Sequence, residues 1–150
     1  MYKVVYDISE TFFSDYHALF FYIFFYLITI ISEKRASIAK KKILIFRAFA
    51  FIICLGITIY LYANFVYLCN LLREGKVGIV EGRVENFTPM HTFSKKSESF
   101  TVSNKYFQYN RNVLGNGYRK VYGEGGYIRE GLQVRIHYFE GKILKLEIEE

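Results

Sequence analysis

Two almost uninterrupted apolar runs, residues 16–32 and 43–72, flank a stretch, 33–42, in which Lys34, Arg35, Lys40, Lys41 and Lys42 stand against a single acid, Glu33. This charge split constrains the chain more than any other feature. A helix needs roughly 20 apolar residues to cross a bilayer core of about 30 Å. The second run exceeds that length, and its one internal charge, Arg47, is close enough to the basic stretch for the side chain to snorkel back towards it. The first run, at 17 residues, is short but can borrow from residues 33–38 if the helix tilts or the bilayer thins. A mean hydropathy of +0.12 conceals all this, because it averages an apolar half with a polar one. The pattern predicts a transmembrane helical hairpin over residues 1–74, with spans at about 16–32 and 43–68 and a basic loop at 33–42.

Short loops rich in Lys and Arg stay cytoplasmic, whereas the N-terminal flank sets Lys3 against Asp7, Glu10 and Asp15. Lys34, Arg35, Lys40, Lys41 and Lys42 therefore act as topology determinants, and both termini are expected on the periplasmic side of a bacterial inner membrane. The first run lacks the basic flank and small-residue cleavage site of a signal peptide. Residues 22–31 also lack the polar face that a helix of a soluble protein would show. The lipid bilayer is thus the first partner the sequence implies. Cys54 and Cys69, about 22 Å apart along one helix, cannot bridge each other; Cys69, near the outer end, could pair only between chains.

Beyond residue 74 the period changes. Residues 76–87 predict a strand with Val77 and Ile79 on one side, a bend or bulge at Gly82, and Val84 beyond it. Residues 98–109 predict a hairpin in which Phe100 and Val102 lead into a Ser103-Asn104 turn and Phe107 and Tyr109 return on the same face. Residues 132–149 predict a second. There, a regular two-residue loop at Glu140-Gly141 would oppose Ile136 to Lys145 and Val134 to Glu147. A three-residue loop, Phe139-Glu140-Gly141, pairs Ile136 with Leu144, Val134 with Leu146 and Leu132 with Ile148, and is the expected register. It leaves Gln133, Arg135, His137, Lys145 and Glu147 on the other face. The expected fold class is an α+β membrane protein: a two-helix transmembrane hairpin followed, over residues 75–150, by a small antiparallel β-barrel of OB or SH3-like type.

The strings Val80-Glu81-Gly82-Arg83-Val84-Glu85-Asn86-Phe87, Glu98-Ser99-Phe100-Thr101-Val102, Tyr106-Phe107-Gln108-Tyr109, Gly125-Gly126-Tyr127-Ile128-Arg129-Glu130-Gly131 and Val134-Arg135-Ile136 span about the last half of the chain. Together they resemble a group of small, uncharacterised bacterial inner-membrane proteins with two transmembrane helices and a C-terminal β-barrel. The resemblance implies a compact β domain and brings no activity with it. After Tyr109 the chain has Asn110-Arg111, where an acidic turn is expected in that group.

Chemistry is sparse. His17, His91 and His137 are scattered, no Cys-His cluster has zinc spacing, and no phosphate loop, nucleophile elbow or dinucleotide fingerprint occurs. The glycines at 115–117 and 123–126 read as turns. No catalytic, metal or cofactor residue is expected. The candidate binding surface comprises Tyr109, Arg111, Tyr118, Arg119, Lys120, Tyr122, Tyr127, Arg129, Arg135 and His137. Such basic and aromatic residues suit single-stranded nucleic acid. Yet 12 basic against nine acidic residues over 75–150 make a mild net +3, and an outward domain would meet no nucleic acid. The leading expectation is a non-enzymatic membrane-anchored binding module whose barrel face and 110–131 loop engage an envelope protein or glycan. The alternatives are a membrane immunity protein against a toxin and, if the topology is inverted, OB-type nucleic-acid binding. An enzyme is the least supported, because no convergent catalytic groups can be named.

Overall fold

The computed structural model describes residues 1–11, 40–90, 96–112 and 116–149. Two compact units emerge: Met1–Glu10 with Phe65–Glu150, and Thr11–Asn64. Helix α1 runs over Lys40–Arg73. It stops where Gly75 adopts φ +66°. There the Lys76 N–H donates to the Leu71 carbonyl at 2.9 Å and the Gly75 N–H to the Leu72 carbonyl at 3.2 Å, the paired bonds of a Schellman stop. Within α1, Ala48–Arg73 is, among the described residues, the one helix long and apolar enough to cross a membrane.

Six antiparallel strands form one sheet: β1 (Tyr2–Asp7), β2 (Gly78–Thr88), β3 (Glu98–Val102), β4 (Lys105–Tyr109), β5 (Gln133–Phe139) and β6 (Lys142–Glu149). Their order is β1-β6-β5-β2-β3-β4, so β1 and β4 are free edges. This corrects the expected fold class in two respects. The described residues contain one long apolar helix rather than a two-helix hairpin, the expected first span at 16–32 lying outside them. The sheet, moreover, is open and not a closed OB or SH3-like barrel. The N-terminal residues, assigned from the sequence to the membrane hairpin, instead occupy the outer edge of β6, from Tyr2 opposite Glu149 to Asp7 opposite Lys145.

The sheet nevertheless curls strongly. Flat strands about 4.8 Å apart would hold β4 and β5 roughly 14 Å from each other. The rings of Phe107 on β4 and Tyr138 on β5 lie only 5.3 Å apart. In the seam that remains, Tyr118 from the β4–β5 connection packs edge-on against Tyr6 of β1 and Tyr109 of β4, each at 5.2 Å. Its N–H donates to the Ile143 carbonyl of β6 at 2.9 Å. A tyrosine and its loop thus fill the place where strand pairing would have closed a barrel.

The main core occupies the inner face, where Val84, Phe100, Val102, Phe107, Val134, Ile136 and Leu146 meet Val121 and Ile128 of the same connection. A second cluster, Ile8, Leu68, Cys69 and Leu144, packs the last turns of α1 against β6. Complete burial of a side chain such as Leu68 or Ile8 contributes about 1.5–3 kcal/mol. Cys69, expected near the outer end of the helix, is buried as a free thiol.

The β3–β4 hairpin has the expected form, with Phe100 opposite Phe107 and a two-residue turn in which Ser103 and Asn104 take φ +46° and +64°. The β5–β6 register differs. Its turn has two residues, Glu140 (φ +49°) and Gly141 (φ +77°), and Phe139 faces Lys142. Leu144 then bulges out of the ladder, so that Ile136 faces Leu146 and Val134 faces Ile148. The bulge, rather than a longer loop, keeps apolar residues opposite one another, and it frees Leu144 for the second cluster. On β2 the expected face is also reversed: the ladder runs regularly through Gly82, Ile79 is exposed, and Val80 and Val84 point inward. A Cβ at Gly82 would displace the Ser103 hydroxyl, which donates to the Glu81 carbonyl at 2.7 Å.

Candidate functional site

The ten candidate surface residues do not form one patch. Arg135 and His137 lie on the face of β5 turned away from the core, in a compact ionic network. Arg135 Nε donates to Glu81 at 2.7 Å, the Tyr2 hydroxyl donates to the same carboxylate at 2.8 Å, and the guanidinium lies 4.3 Å from the Tyr2 ring centre. Across the ladder, Lys145 holds Glu147 at 2.7 Å, with Arg135 at 3.5 Å and His137 at 4.0 Å. The bonds from Arg135 and Tyr2 hold the Glu81 carboxyl below its usual range. Burial alone would raise Glu147, but the Lys145 bond and the charges of Lys145, His137 and Arg135 draw it below its usual range. Burial pushes His137 down, and Lys145 and Arg135 add to that against the opposing pull of Glu147. Each charge here has a neighbour of opposite sign, so the network ties strands together.

A second group lies along the β4–β5 connection. Arg111 is ion-paired with Glu124, and Lys120 sits 5.6 Å from the Tyr127 ring centre. Tyr122 is exposed and packs edge-on against Phe87 at 6.0 Å, and Arg129 is exposed. The connection is less loop-like than expected, because Tyr118, Val121 and Ile128 are buried within it.

Glu98 anchors this connection, and nothing in the sequence reading singled it out. It is fully buried and accepts hydrogen bonds from the Tyr109 hydroxyl, from the Tyr122 N–H at 3.1 Å and from the Met90 N–H at 3.4 Å. Burial, then the bond to Glu98, drives the Tyr109 hydroxyl far above its ordinary pKa. Tyr118 is pushed up to about 12, again by burial and by the nearby Glu98, while its oxygen accepts the Tyr127 N–H at 3.0 Å. Neither tyrosine is an acid at neutral pH; both are fixed walls.

Those walls bound a cleft of about 280 Å³ at the open seam, between the end of the β3–β4 hairpin, residues 116–119 and the β5–β6 turn. Tyr109, Tyr118 and Arg119 are the members of the expected surface that line it; Gln108, Asn110, Asn116 and Lys142 join them. Asn110 and Asn116 fall in the 110–131 loop expected to bind, though neither was singled out; Gln108 and Lys142 were missed, because they come from other segments and only polarity next to turns marks them. No cluster of His, Cys, Asp and Glu suited to a metal occurs among the described residues. No protein-family model, curated protein or solved structure matches the chain.

Proposed function

We propose that the chain is a non-enzymatic, membrane-anchored binding module whose sheet domain faces the outer side of a bacterial inner membrane and engages a component of the cell envelope. The observation that carries this reading is α1. From Phe49 to Tyr62 large apolar side chains are exposed around the helix with no polar face, a surface suited to lipid and costly in water. Orientation follows from Lys40, Lys41 and Lys42 at its N-terminal end, against Arg73, Glu74 and Lys76 at the other. The pairing of β1 with β6 puts Met1–Glu10 on the same side as the sheet. The binding role rests on the seam cleft, a recess of about 280 Å³ with mixed aromatic, amide and cationic walls held on a rigid sheet.

Flotation tests the anchor: the full chain is expected to float with liposomes and to resist alkaline carbonate extraction. Extraction into the soluble fraction would refute it.

A further inference from the structure

We infer that the seam cleft holds an acidic sugar unit, a hexose ring bearing a carboxylate or a phosphate. The inference rests on the binding-module reading and specifies its ligand. Three side-chain amides, Gln108, Asn110 and Asn116, line the cleft. An amide offers a donor pair and an acceptor on one planar group, which matches neighbouring hydroxyls that must both give and take hydrogen bonds. Asn110 is already oriented, its oxygen accepting the Asn112 N–H at 2.8 Å and its Nδ2 donating to the Ser97 hydroxyl at 3.4 Å, which leaves one N–H for a ligand. The rims of the Tyr109 and Tyr118 rings supply apolar wall against which the C–H face of a sugar can lie, and Glu98 and the Tyr127 N–H hold those rings in place.

The charge of the ligand follows from the remaining groups. Arg119 of the connection and Lys142 of β6 both line the cleft, and no Asp or Glu lines it among the described residues. Lys142 is exposed and makes no ion pair with any described residue, unlike Lys145 three positions on. An anion in the cleft would gain charge-assisted bonds that a neutral sugar would not. The volume accommodates a compact ring; an extended peptide would bind instead along a strand edge through its backbone.

The test is calorimetric titration of the full chain in lipid nanodiscs with galacturonate oligomers, glucose 6-phosphate, the matching neutral sugars, inorganic phosphate and an oligoglutamate peptide. Saturable binding of an acidic sugar is expected, tighter than that of its neutral counterpart. The stronger of the two acidic sugars identifies the anionic group. Lys142→Gln and Arg119→Gln should each weaken acidic-sugar binding about tenfold, the scale of one charge-assisted hydrogen bond, and by more than they weaken neutral-sugar binding. Asn116→Ala should weaken both. Equal binding of phosphate or oligoglutamate would overturn the sugar assignment, as would acidic-sugar binding that survives the combined Lys142→Gln and Arg119→Gln change. A chain that floats with liposomes yet binds none of the sugars retains its anchor and loses this ligand.

Discussion

At the scale of single residues, the domain depends on a few atoms that cannot be replaced by their nearest relatives. Glu98 is buried and makes no ion pair with a described residue, and its carboxylate joins β3 to two loops through the Tyr109, Tyr122 and Met90 donors. Glu98→Ala would orphan those donors in the interior and should cost about 3 kcal/mol or more, read as a loss of denaturant midpoint. Tyr109→Phe removes one donor and should cost about 1–3 kcal/mol. Glycines give a sharper contrast. A Cβ at Gly126 would meet the backbone of Lys120 and Val121, which cannot swing aside, whereas one at Gly123 meets nothing within 4 Å. Gly126→Ala should therefore destabilise by about 2 kcal/mol or more, and Gly123→Ala should stay within about 0.5 kcal/mol of the parent. Equal melts for the two variants would show that the 120–126 turn is not packed as described.

At the scale of elements, the β6 bulge links the sheet to the helix. Leu144 leaves the ladder and enters the pocket of Ile8, Leu68 and Cys69, so Leu144→Ala should cost about 2–4 kcal/mol and increase hydrogen exchange at the end of α1. The ionic face of β5 and β6 sets the response to acid. His137 has its pKa lowered in the folded state, so between the unfolded value and the lower folded one the unfolded chain binds more protons, and stability falls as pH falls. Glu81 and Glu147, also lowered, act in the same direction at more acidic pH, their contribution being present above the unfolded carboxylate pKa and lost below it. The groups facing His137 are Arg135 on its own strand, Lys145 and Glu147 on β6 and Asp7 on β1. His137→Gln should flatten the melting temperature between about pH 7 and 5 and leave the steeper acid limb, a difference that thermal melts across pH would read directly. These elements also show where sequence reading succeeds. The β3–β4 hairpin was legible because its alternation and its Ser103-Asn104 turn are local. The β5–β6 register was not, because the Leu144 bulge depends on a helix end distant in sequence. Strand β1 was overlooked beside the stronger apolar runs, although Val4, Val5 and Tyr6 carry a short strand signal. Of the site, Tyr109, Tyr118 and Arg119 were legible as basic and aromatic residues, while the amides and Lys142 acquire meaning only once three segments meet.

At the scale of the whole molecule, one strand pairing constrains the path of the chain. β1 and β6 share a ladder, so the first ten residues and the sheet domain occupy one compartment whatever the orientation of α1. On the proposed topology, the basic residues at the start of α1 select which compartment it is. In a chain with Cys54 and Cys69 replaced by Ala, single cysteines at Lys3, Arg129 and Ser37 can be probed in spheroplasts with a membrane-impermeant maleimide. Lys3→Cys and Arg129→Cys should both label in intact spheroplasts, since both side chains are exposed and both lie in the sheet unit. Ser37→Cys, within the basic stretch, should label only after permeabilisation. Labelling of Lys3→Cys without Arg129→Cys would break the β1–β6 pairing itself. Labelling of Ser37→Cys alone would keep the pairing but place the domain in the cytoplasm, where an envelope sugar could not reach the seam cleft and the scattered arginines would again have nucleic acid within reach.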